Sequence, residues 1–381
     1  MARRSFFDEY THGLTPADFQ KLFTRDTPDA YRYFTRGIDR EKLDAQPWYK
    51  RWAIHVRLLF VAFTMRLSPA RRALYAFGML AVALGLLELF RGFGLQDVLI
   101  FPFRPSVLVP QWVPGTLWLF LGVVAVNLLM LMEVADRLSL KGDLEIARDI
   151  QLAMLPGGLV RSGDIVVGGV TRPANTVGGD FFDILEQPDG RLVIALGDVS
   201  GKGSPAALLM ALLLAMLRTL VDEGLETARL IERLNVQIAR HSPASRFITL
   251  FYGVCDPATG RLEFVNAGHL PPIVRRRDGR FERAGEPGGG LALGLFANAS
   301  YETHQITIEP GDLLVLFSDG ITEAEDVRGR AFEDAGVERV IAGAADRDPE
   351  AIGRALLAAV EAHAGDVRLA DDLTALVLKR G

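Results

Sequence analysis

Cysteine is almost absent from this sequence, since Cys255 is the only one in 381 residues. A single cysteine cannot form an internal disulfide framework. Its strand-like neighbours, Phe251-Tyr252-Gly253-Val254, predict a buried thiol rather than a reactive one. The formal net charge of −5 is also small, and it gives no reason to expect nucleic-acid binding.

Charged residues are missing from two long runs in the first third of the chain. The run from Ala73 to Phe90 is apolar except for Glu88 near its end, and the run from Pro105 to Met132 contains no charged residue. Both reach roughly the 20 residues that cross about 30 Å of hydrocarbon, the first only marginally. We therefore expect a transmembrane helical hairpin, with buried helices of a soluble domain as the alternative.

Basic residues predict how this hairpin is oriented. The connection from Arg91 to Pro114 contains only two basic residues, Arg91 and Arg104. Four arginines lie just before the first apolar run: Arg57, Arg66, Arg71 and Arg72. The positive-inside rule then places both termini and the rest of the chain in the cytoplasm, as in a multi-pass protein of the bacterial inner membrane. Because the first apolar run lies far from Met1, we expect no cleaved signal peptide.

The segment before the hairpin contains one pattern that can be interpreted. Between Trp48 and Met65, aromatic and apolar residues alternate with basic ones. This pattern suits a helix lying on the anionic inner leaflet, and it suits equally a core helix of a small N-terminal domain. We expect a cytoplasmic segment at 1–70, the hairpin at 71–132, a linker helix at 133–158 and a catalytic domain at 159–381.

The linker predicts a helix because the chain runs from Glu133 to Leu155 without an internal proline. Its apolar positions fit a partly buried face but are too irregular to indicate a sustained coiled coil. Such a helix would carry a signal from the membrane to the catalytic domain, or it would be a plain linker packed on that domain. A homodimer is compatible with either interpretation.

The remaining chain predicts a sheet-rich domain with a few helices. Apolar runs bounded by turn residues predict strands at 165–171, 180–186, 191–198, 247–255, 261–266, 303–308, 312–318 and 373–379. Helices are expected from Ser204 to Val221 and from Ala228 to Arg240, the first with Pro205 at its first position. The apolar core of the first helix, Ala206 to Leu217, is too short to span a membrane, so we expect this helix to be buried between sheets.

Aspartates close a turn or an apolar run at four places, three of them beside glycine. They are Asp180, Asp198, Asp319 and the pair Asp371-Asp372. Carboxylates gathered at the ends of buried strands repel one another unless a divalent cation neutralises them, and such oxygen ligands suit Mg²⁺ or Mn²⁺. Two ions about 4 Å apart would clamp a phosphoryl group and activate a water molecule. The pattern therefore predicts direct hydrolysis of a phosphate ester.

A family resemblance makes this prediction specific. Six motifs resemble the PPM-type metal-dependent serine/threonine phosphatases, in the bacterial branch named after SpoIIE and RsbU: Asp149-Ile150-Gln151 with Met154-Leu155-Pro156, Pro173-Ala174 with Val177-Gly178-Gly179-Asp180-Phe181-Phe182-Asp183, Gly197-Asp198-Val199-Ser200-Gly201-Lys202-Gly203, Asn266-Ala267-Gly268-His269, Ser318-Asp319-Gly320 and Asp371-Asp372-Leu373-Thr374. The resemblance covers the chain from about Asp149 onward and leaves out the membrane part.

The resemblance implies an α+β fold of the αββα type, in which two antiparallel sheets are flanked by helices, here preceded by the transmembrane hairpin. It also implies a centre of two Mn²⁺ or Mg²⁺ ions at one end of the sandwich. Asp180 and Asp198 would hold one ion, and Asp198 with the backbone carbonyl of Val199 would help to hold the other. Asp319 and Asp371 would complete the second site, and Asp371 is preferred to its neighbour because the family pattern aligns the first aspartate of the pair with the metal.

Three further residues have two interpretations each. Arg172 would steer the substrate phosphate, or it would be a solvated surface arginine. His269 would aid proton transfer to the leaving oxygen, or it would have a structural role in its turn. Asp183 would support the metal ligands, or it would be an exposed strand residue.

The resemblance also implies a substrate, a phosphoserine or phosphothreonine on a small regulatory protein. In this family the regulator is often an anti-sigma-factor antagonist of the STAS type in a partner-switching circuit. Two alternatives stay open, a catalytically inactive scaffold that binds a phosphoprotein and a hydrolase of small phosphate esters. The presence of all the core aspartates argues against the scaffold. Because the chain has no large extracytoplasmic sensor and no recognisable relay, any signal would come through the membrane, the N-terminal segment or a partner.

Overall fold

The computed structural model describes Thr64 and residues 67–90, 93–97, 106–110, 112–243, 245–285 and 289–381. Contacts within the chain divide it into two compact units, Met1–Leu138 and Ser139–Gly381. The expected amphipathic helix at 48–65 lies outside the described residues except for Thr64, so it stays a prediction.

The first unit is a helical hairpin with a β-ribbon at its turn. Helix α1 (Pro69–Phe90) is followed by the antiparallel strands β1 (Phe93–Asp97) and β2 (Ser106–Pro110), and then by α2 (Trp112–Met154). The expectation that the second apolar run is helical from Pro105 is wrong at its start. Residues 106–110 form a strand because valines alternate there between two prolines, which resist helix formation. Helix α2 then continues unbroken through the predicted linker.

Glycines allow α1 and α2 to approach each other closely. Gly78 and Gly85 of α1 and Gly115 and Gly122 of α2 are all buried. A Cβ atom added at Gly85 would lie 2.6 Å from Cγ of Leu119 and 2.9 Å from the carbonyl oxygen of Gly115. The two helices therefore pack backbone against backbone, as small residues permit in membrane helices.

Large apolar side chains cover the outer faces of the same two helices. Those that are well exposed include Phe77, Leu80, Leu87, Leu117, Phe120, Val123, Met130 and Leu131. An apolar surface of this extent is unusual on a soluble protein. It is the surface expected of helices that contact lipid.

Three helices among the described residues are long and apolar enough to cross a membrane. Their candidate spans are Pro69–Leu89, Gly115–Met154 and Ser204–Asp222. In the first two, 17% of the most apolar window is buried within the structure, against 44% in the third. The third helix therefore uses much of its apolar surface for internal packing.

The second unit contains two antiparallel sheets. The six-stranded sheet has the order β10-β9-β12-β13-β4-β3 and the five-stranded sheet the order β11-β8-β7-β6-β5. The elements are β3 (Val160–Ser162), β4 (Ile165–Arg172), β5 (Phe181–Glu186), β6 (Leu192–Val199), α3 (Ser204–Asp222), α4 (Thr227–His241), β7 (Ile248–Asp256), β8 (Arg261–Ala267), β9 (Ile273–Arg275), β10 (Phe281–Arg283), β11 (His304–Thr307), β12 (Leu313–Phe317), α5 (Asp319–Thr322), α6 (Glu333–Ala344), α7 (Pro349–Ala364) and β13 (Leu373–Arg380).

Alternating apolar side chains join these elements into four layers. In β6, Leu192, Ile194 and Leu196 face the other sheet, whereas Val193 and Ala195 face α3 and α4. The outer face of the six-stranded sheet packs in the same way on α5, α6 and α7. Side chains on a strand point alternately to opposite faces, so a fully apolar strand is the one that can be buried on both sides. The expected αββα sandwich is confirmed.

The sequence-based placement of α3 is wrong in one respect. The helix was expected between the sheets, but the layer between them consists of strand and loop residues, and α3 lies with α4 on the outer face of the five-stranded sheet. Its buried side chains recur at helical spacing and leave Leu208 exposed. One apolar face is therefore enough to hold it. Helices α6 and α7 were not predicted.

Replacing Gly85 with alanine tests the packing of the hairpin. An alanine at an exposed helix position stabilises by up to about 1 kcal/mol relative to glycine. At Gly85 the added methyl group would collide with backbone atoms of α2, so we expect Gly85→Ala to lower the melting temperature of the full chain in detergent. Gly142→Ala is the matched control, because nothing lies within 4 Å of a Cβ atom at Gly142. Equal stabilisation by both changes would contradict close helix packing.

Candidate active site

Paired strand ends place the predicted aspartates opposite one another. Strands β5 and β6 pair with Phe181 opposite Gly197, so one step further along the register Asp180 faces Asp198. Strands β12 and β13 pair with Phe317 opposite Ala375, and Asp319 and Asp371 lie just beyond that end. The Asp198 carboxylate is close enough to Asp319, Asp371 and Asp372 for each of them to raise its pKa. The fold therefore gathers carboxylates from both sheets at one rim.

Asp180 is the most deeply buried of the candidate ligands. Only 4% of the residue is exposed, and its Oδ2 atom has no hydrogen-bond partner. Burial raises the pKa of Asp180 well above its usual range, and the charges of Asp198 and Asp372 raise it further. A buried, unpaired carboxylate oxygen is unfavourable. A cation bound there would satisfy it.

In Asp198 and Asp319, too, burial and neighbouring negative charges destabilise the ionised carboxylate. Burial, followed by repulsion from Asp319 and Asp371, raises the pKa of Asp198 to about 7. Burial also raises the pKa of Asp319, with added repulsion from Asp371 and Glu323, while the Gly320 N–H and Lys202 act in the opposite direction. Clusters of carboxylates behave in this way when nothing neutralises their charge. Within the described part of the chain, no three acidic, histidine or cysteine side chains already stand at ligand distance from a common point.

The Val199 carbonyl oxygen lies beside the same carboxylates. A Cβ atom at Gly179 would be 2.7 Å from this oxygen and 3.0 Å from Oδ1 of Asp198. Residue 179 must therefore be glycine for the loop to pass this closely. The carbonyl therefore lies near the Asp198 carboxylate, and its predicted role as a metal ligand stays a prediction.

Hydrogen bonding distinguishes Asp371 from Asp372. Both carboxylate oxygens of Asp372 accept backbone N–H groups, Oδ1 from Ala174 at 2.7 Å and Oδ2 from Gly179 at 2.7 Å. Asp372 is buried and holds the loop that precedes β5. Asp371 is partly exposed, and its Oδ2 atom lies 2.9 Å from Nζ of Lys202. Asp371 is therefore the more accessible carboxylate of the pair, and its assignment as a metal ligand stays a prediction.

Asp183 is buried, so its interpretation as an exposed strand residue is wrong. Its side chain is 1% exposed and forms an ion pair with Arg218 of α3, with Nε to Oδ2 at 2.8 Å. The same guanidinium donates to the Met154 carbonyl oxygen at 2.6 Å. Asp183 thereby joins β5, α3 and the end of α2 rather than facing solvent.

Gln151 connects the end of α2 to the aspartate loop, a role that sequence reasoning missed. Its Nε2 donates to the Gly178 carbonyl oxygen at 2.9 Å, and its Oε1 accepts from the Gly178 N–H at 3.2 Å. The side chain is buried, and Gly178 lies two residues before Asp180. The signal in the sequence is the motif Asp149-Ile150-Gln151, which was recognised without a function for its glutamine.

His269 lines a cleft of about 270 Å³ together with Asp198, Thr249, Asp319 and Glu323. The residue is buried, its Nδ1 lies 3.0 Å from the Thr249 hydroxyl oxygen, and its backbone N–H and carbonyl bond to the side chain of Asn266. Burial lowers the pKa of His269 to about 4, with the Phe317 carbonyl acting in the opposite direction. The imidazole is therefore neutral near pH 7, which makes it a weak proton donor. Its structural interpretation gains support.

Arg172 is not one of the residues that line this cleft. The residue ends β4, and its guanidinium forms an ion pair with Glu361 of α7. Both side chains are substantially exposed. The predicted contact of Arg172 with substrate phosphate therefore stays a prediction.

The spacing from Cys255 to Arg261 matches the Cys-x5-Arg pattern of cysteine-dependent phosphatases. Cys255 lies in β7, fully buried, and burial raises the pKa of its thiol to about 12. A thiol in this state is not a nucleophile. The intervening residues form the turn between β7 and β8, as the sequence predicted.

Comparison with known proteins agrees with this geometry. The family model described as Stage II sporulation protein E (SpoIIE) matches residues 188–381, which is just over half of the chain. The chain belongs to the SpoIIE family. The expected resemblance to the SpoIIE and RsbU branch of the PPM-type, or PP2C-type, serine/threonine phosphatases is confirmed.

Curated relatives of this SpoIIE-family chain include a named phosphatase. The chain is 29% identical over 245 residues to phosphoserine phosphatase RsbU of Bacillus subtilis (strain 168), and the match covers 63% of this chain and 71% of RsbU. It is also 29% identical over 226 residues to Protein IcfG of Synechocystis sp., covering 52% of this chain and 35% of that protein. The match to IcfG therefore leaves most of that protein uncovered.

Solved structures share the fold of this SpoIIE-family chain. The SiaA-PP2C domain of Pseudomonas aeruginosa has a TM-score of 0.57 at 21% identity, covering 65% of this chain and 99% of the domain. The PP2C phosphatase domain of SpoIIE from Bacillus subtilis, with a fragment of its regulatory domain, has a TM-score of 0.51 at 21% identity. This match covers 58% of this chain and 64% of the SpoIIE chain. At this identity the likeness concerns the fold alone.

Parallel substitutions at the adjacent aspartates test their assignment. In Asp372→Asn an NH₂ group or a neutral oxygen would replace a charged acceptor, so we expect a loss of about 2 kcal/mol in the free energy of unfolding. Asp371→Asn should change it much less, because Asp371 is partly exposed and its removal relieves repulsion in the cluster. Thermal unfolding of the full chain in chelator measures both. Greater destabilisation by Asp371→Asn would reverse the assignment.

Proposed function

We propose that this protein is a membrane-anchored, metal-dependent protein serine/threonine phosphatase. It hydrolyses a phosphoserine or phosphothreonine on a regulatory protein by direct attack of water. The observation that carries the proposal is the cluster of carboxylates at one rim of the sandwich, where the ionised forms are destabilised. Asp180 is buried there with an unpartnered oxygen, and Asp198 has a pKa of about 7.

The residues present fit a centre of two Mn²⁺ or Mg²⁺ ions. The donor set consists of oxygen atoms, which these hard cations prefer. Asp180 and Asp198 would hold one ion, and Asp198, the Val199 carbonyl, Asp319 and Asp371 would hold the other. When bound, such ions act as Lewis acids and lower the pKa of a water ligand enough to make it a nucleophile near neutral pH.

The protein's own part in the reaction is to hold these groups rigidly. Asp372 fixes the loop before β5 through its bonds to Ala174 and Gly179, so the Asp180 carboxylate cannot turn away. Glycine at 179 lets the same loop pass close to the Val199 carbonyl. The cleft lined by Asp198, Asp319 and His269 has a volume of about 270 Å³, which leaves room for a phosphoryl group. Preorganisation of this kind is the main protein contribution in phosphoryl transfer.

The membrane anchor consists of α1 and α2. Their exposed apolar faces and glycine-packed interface support a transmembrane hairpin in the bacterial inner membrane. The arginines around the start of α1 favour cytoplasmic termini and a cytoplasmic phosphatase domain. One of them, Arg71 in the first turn of α1, also joins the two helices, since it bonds to Asp136 at 2.6 Å.

A phosphorylated regulator is the proposed substrate, by analogy with the phosphoserine phosphatase RsbU. A STAS-type anti-sigma-factor antagonist is one such regulator. The inactive scaffold and the hydrolase of small esters are outcomes that the following experiment separates.

Phosphate release by the full chain tests the activity. We expect Mn²⁺ to support hydrolysis of an aryl phosphate and of a phosphoserine protein, chelator to abolish it, and Asp319→Asn to reduce it by about 100-fold or more, because a proposed ligand is lost. Glu309→Gln, outside the carboxylate cluster, is the control. A folded protein that binds Mn²⁺ without turnover would indicate the scaffold. Turnover of the aryl phosphate but not of phosphoserine proteins would indicate a hydrolase of small esters.

Helix α2 provides a route by which membrane state or dimerisation would regulate the site. It runs unbroken from Trp112 to Met154, and near its end Gln151 bonds to both backbone polar groups of Gly178. A shift of the helix end would therefore move the loop that carries Asp180. We include this coupling in the proposal.

Gln151→Ala tests the coupling. Because groups that orient metal ligands typically contribute 10–100-fold to affinity, we expect Mn²⁺ affinity and turnover to fall by about 10-fold while the circular dichroism spectrum is kept. Asp149→Ala is the matched control on an exposed position of the same helix. Isothermal titration calorimetry measures the affinity. Unchanged Mn²⁺ binding by Gln151→Ala would exclude coupling through this contact.

A further inference from the structure

Lys202 stands at the carboxylate cluster without a role in the proposed metal centre. It lies between Gly201 and Gly203, whose φ angles are 96° and 76°, in the turn before α3. Its Nζ atom is 2.9 Å from Oδ2 of Asp371 and also donates to the Ala370 carbonyl oxygen. About half of the side chain, 51%, is exposed. The ammonium group is therefore at the rim, on a flexible stem, with water on one side.

Other basic side chains near the rim are held by different partners. Arg246 donates to the Ser200 carbonyl oxygen and fills the space beside Gly201. Arg172 pairs with Glu361, and Arg368 donates to Oδ1 of Asn175 at 2.9 Å. Among the described residues, Lys202 is the base that forms an ion pair with a carboxylate of the proposed centre.

Binding of a divalent cation would change the position of Lys202. Asp371 would then share its charge with the cation, and the ammonium group would be repelled from the same oxygen. A phosphate ester brings negative charge and strong acceptor oxygens to the centre. Lysine, a compact cation with three donors and a flexible stem, suits such a group.

We propose that Lys202 is a substrate-binding residue whose ammonium group donates a hydrogen bond to a non-bridging oxygen of the phosphoryl group. Its ion pair with Asp371 places the ammonium group beside the proposed centre. Lys202 then contributes to substrate binding rather than to metal binding. This inference rests on the proposed phosphatase function.

Inhibition by inorganic phosphate tests the inference in the full chain with Mn²⁺. For Lys202→Met we expect the inhibition constant of phosphate and the KM for an aryl phosphate each to rise by about 10-fold, the effect of one lost hydrogen bond between charged groups. The kcat should change much less, and Lys202→Arg should recover part of the affinity. Lys141→Met, which removes an exposed lysine paired with Glu145 of its own helix, is the control.

Direct titration of Mn²⁺ in the absence of phosphate separates the explanations. We expect Lys202→Met to bind Mn²⁺ at least as tightly as the wild type, because a competing cation has been removed. An unchanged inhibition constant would overturn the inference, and so would a rise matched by an equal loss of Mn²⁺ affinity. If the wild type itself binds no Mn²⁺ and releases no phosphate, the proposed function fails first, and this inference falls with it.

Discussion

Repulsion among carboxylates is the physical constraint on which the active-site region depends. Strand ends from two sheets bring Asp180, Asp198, Asp319 and Asp371 to one rim, and burial makes the negative charges of the first three harder to maintain. Left free, such groups would move apart or take up protons. The sandwich opposes the first, because the neighbouring strands β5, β6, β12 and β13 are held by packing on both faces. The rim is thereby prepared for positive charge.

Several contacts oppose this repulsion without removing it. The charge of Asp372 is balanced by hydrogen bonds that its carboxylate accepts from backbone N–H groups. The bond from Gly179 joins Asp372 to a loop that lies 193 residues earlier. Lys202 neutralises part of the charge of Asp371. Gln151, near the end of α2, donates a hydrogen bond to the Gly178 carbonyl oxygen in the same loop. The loop before β5 is therefore held by groups from two distant segments, which explains how a change at either of them would reach Asp180.

The sequence predicted much of this organisation because its local signals agree with one another. Largely apolar strands such as β6 and β13 indicate burial on both faces, and glycine beside aspartate indicates a strand end. The signals failed where local pattern and tertiary environment differ. Residues 106–110 begin an apolar run yet form a strand, and α3, expected between the sheets, packs on the outer face of one of them. Short strands such as β9 and β10 are too brief to give a period.

From the sequence alone came the two kinds of apolar surface and the aspartates that we propose carry the chemistry, while the αββα sandwich was implied by the family resemblance. The first two follow from residue type and spacing along the chain, and the third from the motifs. Only the tertiary structure decided that Asp183 is buried against Arg218, that Asp372 holds a loop while Asp371 faces Lys202, and that Gln151 bonds to Gly178. Each of these depends on partners from different segments. Hydrogen bonds and ion pairs act over a few ångströms in space, and spacing in the sequence carries no record of that distance.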